Sequence, residues 1–260
     1  MSDDSLSGYT VLVTRPKQQS DGLDAAITRA GGRTLLAPMV GIRAIDDPAP
    51  ARALIDRLET FDIAVFTSRN AVDFAMPLLQ AAGKDLAALV VFAVGLATAQ
   101  QLKAKGVAKV QTPGAGFNSE ALLSLPALAK VAGKNVVIFR GDRGRELIAT
   151  ELAARGAEVE YCEVYQRYVP DTSLAEVLRR NDGVVPDVVV ITSLEGLRNF
   201  VDKIADEQVD EFWGIQPLVV SRRIAQEVEM QPFTNKPIVV SNPADAPIVQ
   251  TLIAWAEGGL

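Results

Sequence analysis

Phe61-Asp-Ile-Ala-Val-Phe-Thr-Ser68 and Pro186-Asp-Val-Val-Val-Ile-Thr-Ser193 follow one pattern, 125 residues apart in a chain of 260 residues. Each is a short apolar run that ends in Thr-Ser and leads into a helical pattern. Apolar runs of this length, bounded by turn residues, are typical of strands buried in a sheet. The pair therefore predicts two α/β units of similar design.

Three more pairs of segments keep the same offset to within one residue: 11–16 with 136–141, Gly31 with Gly156, and 94–100 with 220–226. In the first pair an arginine, Arg15 or Arg140, ends a buried strand, and a helical pattern follows. The glycine pair lies where these helices would end, and glycine is a common C-terminal cap. An offset that holds through separate segments indicates an internal repeat, although any two α/β units share some likeness.

Short β-branched runs alternate with helical patterns in both halves, which is typical of parallel sheets covered by helices. The predicted strands are 11–14, 35–36, 63–66, 90–94, 136–139, 188–191, 218–220 and 238–240. The sequence therefore predicts an α/β fold of two similar domains, each a parallel sheet flanked by helices.

Two extended stretches, 33–43 and 158–168, are longer than a strand and a turn require. We expect them to form a two-stranded extended connector that crosses between the domains. The division that follows is a discontinuous first domain, 1–38 plus 168–260, and a second domain, 39–167, which includes the connector strands. Contiguous halves, 1–128 and 129–260, are the simpler topology and are also compatible with the residues.

Composition and charge exclude several classes of function. Lys plus Arg number 26 and Asp plus Glu 32, so the net charge of −6 argues against nucleic-acid binding through bulk charge. The absence of histidine excludes Ser-His-Asp catalysis and histidine-ligated metals. The single cysteine, Cys162, excludes an intrachain disulfide and a thiolate metal cluster, and it fits a reducing cytosol.

Neither a targeting segment nor a membrane segment is expected from the pattern. Met1-Ser-Asp-Asp-Ser is acidic and lacks the apolar run of a signal peptide. The most apolar stretch, 86–99, is too short to cross a bilayer, which requires about 20 residues. We therefore expect a cytoplasmic protein that works through Tyr, Arg, Ser, Thr, carboxylate or backbone groups.

The repeated polar residues fall beyond the carboxyl ends of strands, where ligands of parallel α/β sheets bind. Thr67-Ser68 and Thr192-Ser193 each lead into a helix, where hydroxyls, free N–H groups and the helix dipole favour an anion. Plain N-capping without a ligand is the alternative. Arg15 and Arg140 are candidates for holding carboxylate or phosphate, with solvated surface charge as the alternative.

Tyr165 is the candidate for acid chemistry in a chain without histidine. It lies in Glu163-Val-Tyr-Gln-Arg167, and a phenol in a desolvated site can donate a proton or a hydrogen bond. The alternative is a tyrosine that only packs. Gly114-Ala-Gly-Phe-Asn-Ser119 approaches the G-x-G-x-x-G phosphate motif, but serine fills the last position, so we interpret it as a loop that leads into a helix.

Six motifs together resemble those of the uroporphyrinogen-III synthase family in order and spacing. They are Thr14-Arg-Pro16, Phe66-Thr-Ser-Arg-Asn-Ala-Val72, Val94-Gly-Leu-Ala-Thr98, Arg140-Gly-Asp-Arg-Gly-Arg-Glu-Leu147, Glu163-Val-Tyr165 and Val190-Ile-Thr-Ser193. The resemblance covers nearly the whole chain and implies two α/β domains joined by a two-stranded connector. It also implies that hydroxymethylbilane cyclises with inversion of the last pyrrole ring and loss of water. No cofactor and no metal are implied.

The same resemblance implies the site residues. Tyr165 matches the family's tyrosine and would be catalytic. The substrate-binding set would comprise Arg15, Ser68, Asn70, Gly95, Thr98, Arg140, Gly141, Thr192, Ser193 and Ser221. One departure is that Arg222-Arg223 follow Ser221, where many members carry threonine nearby. The implied partners are a linear tetrapyrrole substrate and, transiently, the enzyme that produces it, with no nucleic acid, no membrane and a monomeric state.

Two other functions fit the same residues. A non-catalytic two-domain sensor would bind a small polycarboxylate in the same kind of site, although the sequence shows no helix-turn-helix or basic arm. The other is a different lyase or isomerase that acts on a polycarboxylate.

Overall fold

Two five-stranded sheets organise the described part of the chain, residues 4–240 and 242–259 of a computed structural model. The strands are β1 (Thr10–Val13), β2 (Arg33–Leu36), β3 (Gly41–Ala44), β4 (Ile63–Phe66), β5 (Val90–Ala93), β6 (Asn135–Gly141), β7 (Glu158–Tyr168), β8 (Val188–Ile191), β9 (Gln216–Val219) and β10 (Ile238–Val239). The α-helices are α1 (Asp21–Arg29), α2 (Ala49–Asp56), α3 (Arg69–Ala81), α4 (Leu96–Ala104), α5 (Ser119–Leu123), α6 (Leu147–Ala154), α7 (Leu174–Arg180), α8 (Leu194–Glu207), α9 (Arg222–Glu229) and α10 (Asp245–Ala256).

The chain divides into two compact units, and each unit contains one sheet. Unit 1 holds the described residues up to Gly41 and from Tyr168 onward, and its parallel sheet has the order β10-β9-β8-β1-β2. Unit 2 holds Ile42–Arg167, and its sheet has the order β3-β7-β6-β4-β5, parallel from β7 to β5. The predicted α/β class, with two similar parallel sheets flanked by helices, is confirmed.

The division between the units falls within β3 and β7, which are neighbours at one edge of the unit 2 sheet. The first boundary lies after Gly41, three residues beyond the predicted position, and the second lies after Arg167. The two-stranded extended connector itself stays a prediction.

The internal repeat explains the order of the strands. β1, β2, β4 and β5 of the first repeat correspond to β6, β7, β8 and β9 of the second, and each unit mixes strands of both repeats. Both sheets thus contain one arrangement, β2-β1-β8-β9 in unit 1 and β7-β6-β4-β5 in unit 2. One hydrogen bond also repeats: Asp187 Oδ2 accepts the Thr10 N–H at 2.8 Å, and Asp62 Oδ2 accepts the Asn135 N–H at 2.9 Å. The sheets therefore do not follow contiguous halves of the chain.

Both faces of each sheet are buried, which explains why the strands are uniformly apolar rather than alternating. All four residues of β4 and all four of β8 are buried. Ala64 and Phe66 face a cluster that includes α2, α3 and α4, whereas Ile63 and Val65 face a cluster that includes α5 and α6. Full burial of a side chain such as Val, Ile or Phe contributes about 1.5–3 kcal/mol. This packing fixes the strand ends that carry the candidate site.

Three features of the described residues concern the membrane segment, the metal site and the cysteine chemistry that the sequence argued against. No helix among them is long and apolar enough to cross a membrane. The His, Cys, Asp and Glu side chains among them form no group of three that could hold a metal ion. Cys162 is fully buried, and burial raises the pKa of its thiol to about 12, so it is an inert core residue.

Candidate active site

The candidate residues of unit 2 lie at the carboxyl edge of its sheet. β4, β5 and β6 are parallel, so they end at the same edge. Ser68 and Gly95 follow the ends of β4 and β5, and Gly141 is the last residue of β6. Tyr165 lies near the end of β7, opposite Gly141 in the strand register. Four neighbouring strands thus bring these residues to one edge.

A one-residue irregularity in β7 directs the ring of Tyr165. Arg140 pairs with Glu163, but Gly141 pairs with Tyr165, so Val164 has no partner on β6. Such bulges redirect side chains and are frequent next to active sites. A Cβ on Gly141 would lie 2.6 Å from Cε2 and 2.7 Å from Cζ of the Tyr165 ring. Position 141 therefore accepts only glycine while the tyrosine holds this place.

The hydroxyl of Tyr165 shares a hydrogen bond of 3.1 Å with Ser68 Oγ. Ser68 is the N-cap of α3, and its Oγ also accepts the Ala71 N–H at 3.1 Å. The phenol ring stacks on Phe74 with a centroid distance of 5.8 Å, and Tyr165 as a whole is 4% exposed. The arrangement fixes a proton donor at the amino end of a helix and shields it from bulk water.

Three further residues of the unit 2 set lie at the starts of α4 and α3. Gly95 is the N-cap of α4 with a φ of −130°, and a Cβ there would meet open space. Other residues adopt this backbone conformation, so the turn before α4 does not require glycine. Thr98 is 4% exposed, and its hydroxyl has no hydrogen-bond partner among the described residues. Asn70 is the second residue of α3 and is half-buried.

Arg140 is buried rather than part of a solvated cationic turn. Only 6% of the residue is exposed, Nε donates to the Gly141 carbonyl at 3.0 Å, and the guanidinium lies 4.4 Å from the Tyr161 ring centroid. Burial of Tyr161 raises the pKa of its hydroxyl. Within the described part of the chain, no carboxylate forms an ion pair with Arg140. A role of Arg140 in binding an anion at the end of β6 stays a prediction.

Unit 1 presents a related set of hydroxyls at the carboxyl edge of its own sheet. Ser193 caps α8 and accepts the Gly196 N–H at 2.9 Å, and Ser221 caps α9 and accepts the Ile224 N–H at 3.3 Å. The Thr192 hydroxyl has no hydrogen-bond partner among the residues that the structure describes. The N-capping alternative therefore describes the serines, whereas a role of Thr192 in binding a ligand stays a prediction.

Arg15 serves the fold of unit 1. Its Nη1 lies 2.5 Å from Asp245 Oδ1, and its Nη2 donates to the Pro243 carbonyl at 2.6 Å. These bonds tie the end of β1 to the start of α10. The guanidinium is thus already paired with an internal carboxylate, and a role of Arg15 in substrate binding stays a prediction.

One cavity of unit 2 lies away from these residues. It has a volume of about 750 Å³ and is lined by the C-terminal part of α3, the segment before β5 and the segment that follows α4, including Met76, Lys84 and Val107. These helix ends lie toward the amino edge of the sheet, because each helix runs back from the strand that precedes it. The cavity therefore takes no part in the site assigned at the carboxyl edge.

Sequence reasoning missed two residues that hold Tyr165 in place. Phe74 supports the ring face, and the Asp142 N–H donates to the Tyr165 carbonyl at 2.9 Å. Phe74 and Ala71 lie three residues apart on α3, so the helical period could have placed Phe74 on the sheet-facing side. No signal in the sequence points to Asp142, because its role depends on the bulge.

The fold and site define a class of protein: a two-unit parallel α/β protein with hydroxyl-capped helices at its strand ends and one buried, hydrogen-bonded tyrosine. The family model described as uroporphyrinogen-III synthase HemD matches residues 21–246. The chain belongs to the uroporphyrinogen-III synthase family, whose members are cyclising lyases of tetrapyrrole biosynthesis.

Individual relatives agree with this membership, and solved structures share the fold. A uroporphyrinogen-III synthase of Salmonella typhimurium is 34% identical over 222 residues, which cover 83% of this chain and 89% of the relative. One of Escherichia coli K12 is 33% identical over 220 residues, covering 84% and 89%. Two crystal structures of uroporphyrinogen III synthases support the fold. The structure from Thermus thermophilus is 20% identical with a TM-score of 0.64, and the match covers 97% of this chain and 100% of that one. The structure from Helicobacter pylori 26695 is 14% identical with a TM-score of 0.59, and the match covers 95% of this chain and 99% of that one.

Proposed function

We propose that this chain cyclises hydroxymethylbilane to uroporphyrinogen III, with inversion of the last pyrrole ring and release of water. The observation that carries the proposal is the hydroxyl pair of Tyr165 and Ser68, held at the strand ends of a chain that has no histidine. Family membership sets aside a non-catalytic sensor. The finer details concern how these residues perform the reaction.

Tyr165 acts as the acid of the first step. As the bond between carbon and oxygen breaks, the phenol gives its proton to the departing hydroxyl, so water leaves and a resonance-stabilised azafulvene cation remains. The substituted carbon of the last pyrrole then attacks this cation and forms a spiro intermediate. The bond from that carbon to the methylene of the preceding ring breaks, which leaves a second azafulvene cation, and the unsubstituted α-carbon of the last pyrrole attacks this cation and so inverts the ring. The proton that this carbon loses as the ring regains aromaticity restores the phenol, and the net change is the loss of one water. Because the cation is stabilised, a weak acid suffices.

Much of the acceleration comes from folding a flexible substrate into one geometry. The substrate carries several acetate and propionate carboxylates, and the strand ends of each unit offer groups that bind them despite the net charge of −6. Arg140 supplies a buried cation, Thr98 and Thr192 supply hydroxyls without internal partners, and the helix N-termini supply backbone N–H groups. Ser193 and Ser221 fix the helix N-termini of unit 1.

The activity is tested by adding freshly prepared hydroxymethylbilane to the purified chain and separating the type I and type III products. Spontaneous closure gives the uninverted type I isomer. We expect the chain to yield the type III isomer, and the heat-denatured chain to yield type I alone. Type I alone from the folded chain would overturn the proposal.

Loss of a single ligand hydroxyl is expected to have a small effect. Thr98→Val and Thr192→Val should each lower kcat/KM at most about tenfold, since a hydrogen bond is worth about 0.5–1.5 kcal/mol net. Ser193→Ala should also lower kcat/KM at most about tenfold. It removes the cap of α8 as well, so it should lower the free energy of unfolding by about 1 kcal/mol. The measurements are steady-state kinetics and thermal unfolding.

Thr251→Val is the matched control, because that hydroxyl donates to the Pro247 carbonyl within α10 at 2.8 Å. It should leave kcat/KM unchanged. If Thr98→Val or Thr192→Val abolishes activity in a folded protein, the binding is not shared among many weak contacts and one side chain carries the chemistry.

The setting of the reaction is also part of the proposal. We place the enzyme in the cytoplasm as a monomer, which a fully buried free thiol in Cys162 supports. Because hydroxymethylbilane closes spontaneously, transient contact with the enzyme that produces it would shorten the exposure of the substrate to water.

A further inference from the structure

The chain between α4 and α5 brings one more segment to the carboxyl edge of the unit 2 sheet. Gln111 pairs in parallel with Phe92 of β5, its N–H donates to the Val91 carbonyl, and its carbonyl accepts the Ala93 N–H, both at 2.9 Å. Because the chain here runs in the direction of β5, the residues that follow leave the sheet where Gly95 leaves it. We call residues 112–118 the Phe117 loop.

The Phe117 loop adopts a conformation with two unfavourable features. Phe117 has a φ of +34°, a region that side chains other than glycine and asparagine rarely adopt, and 45% of this large apolar residue is exposed. At the start of the loop, the hydroxyl of Thr112 is buried without any hydrogen-bond partner among the described residues. A buried unsatisfied hydroxyl costs free energy and calls for an explanation. A change in the conformation of the loop is one way to relieve both features.

The second half of the loop packs against α5, where a Cβ on Gly116 would lie 3.0 Å from the Cβ of Ala121. Asn118 Oδ1 accepts the Ala121 N–H at 2.8 Å and caps α5, while Glu120 Oε1 lies 3.5 Å from Nη1 of Arg145 in the segment that follows β6. Gly114, in contrast, has open space around the position of a Cβ. The loop thus spans from the end of β5 to the segment after β6, the strand that carries Gly141.

We propose that Phe117 contacts a pyrrole ring of the substrate, and that the Phe117 loop closes over the carboxyl edge of unit 2 during the reaction. This inference rests on the proposed function. An aromatic face stacks on a flat pyrrole and stabilises a nearby cation. Closure also excludes water, which would otherwise add to the azafulvene cation and return it to hydroxymethylbilane. Loops at strand ends commonly perform this task.

Phe117→Gly separates a role in stability from a role in the reaction, because glycine removes the ring and also relieves the positive φ. We expect an unfolding temperature equal to or above that of the wild type, together with a loss of about tenfold or more in kcat/KM for the type III product. Phe117→Tyr keeps an aromatic ring and should stay within about twofold of the wild type. Phe117→Asn, which tolerates positive φ, should match Phe117→Gly in activity.

Gln208→Gly is the matched control. Gln208 has a φ of +54° at the C-cap of α8 in unit 1, so glycine relieves the same strain without removing an aromatic ring. Its kcat/KM should equal that of the wild type. If the wild type forms no type III product, the proposed function fails. If the wild type forms type III and Phe117→Gly and Phe117→Asn are folded and equally active, the role of Phe117 is wrong while the function stands.

Discussion

Replacing Gly141 with alanine is expected to lower kcat/KM at least about 100-fold, because a misplacement of about 1 Å in a catalytic group can cost that much. The new Cβ would lie 2.6–2.7 Å from two carbons of the Tyr165 ring and 3.1 Å from its hydroxyl oxygen. Gly141 lies in a strand that pairs on both sides, so the ring must yield and lose its contact with Ser68. Steady-state kinetics and thermal unfolding on the same preparations measure the effect.

Gly95→Ala is the matched control for the loss at Gly141. A Cβ at Gly95 meets open space and the backbone is unstrained, so the variant should fold with unchanged stability. Any loss of activity in Gly95→Ala therefore reports a ligand that approaches the start of α4. If Gly141→Ala retains the activity of the wild type, the assigned position of Tyr165 is wrong.

Tyr165→Phe is expected to lower kcat roughly 10- to 100-fold and to leave KM within about twofold. The full range for a general acid is about 10²–10⁴, and the stabilised cation reduces the need for an acid. The ring and its stacking on Phe74 are retained, so only the hydroxyl and its bond to Ser68 are lost. The change in stability should therefore be about 1 kcal/mol or less.

Tyr9→Phe controls for the loss of a hydroxyl elsewhere. Tyr9 is half-buried in unit 1, before β1, and its hydroxyl donates to the Ala256 carbonyl at 3.3 Å. That position lies at the amino edge of the unit 1 sheet, so activity should be unchanged. A loss in Tyr9→Phe equal to that in Tyr165→Phe would show that the effect is not specific to the site.

Sequence patterns predicted the presence of the strands better than they predicted the first and last residue of each strand. The runs in β4 and β8 are uniformly apolar and end in Thr-Ser, so both the strand and the following helix are encoded locally. β9 begins at Gln216 and includes Pro217, whereas the predicted strand began at 218. Proline is uncommon inside strands, so the sequence pattern does not extend the strand across Pro217. The pairing of β1 with β8 is not encoded locally, and only the predicted crossing of the two extended stretches placed 1–38 in one domain with 168–260.

Local signals also account for part of the candidate site. Ser68, Ser193 and Ser221 lie between a strand and a helix, and each is an N-cap in the structure. The pairing of Arg15 with Asp245 joins residues 230 positions apart, and no local pattern reveals it. The fit of Tyr165 against Gly141 depends on a single unmatched residue in β7, which sequence periodicity does not specify.

The central claim is that the Tyr165 phenol assists the departure of the substrate hydroxyl. The most direct measurement is a single-turnover experiment with enzyme in excess over hydroxymethylbilane, quenched at intervals and resolved into type I and type III products. Enzyme in excess removes product release from the measured rate. We expect Tyr165→Phe to form the type III product roughly 10- to 100-fold more slowly than the wild type. Equal single-turnover rates in the two folded proteins would contradict proton donation by Tyr165 and assign it to packing alone.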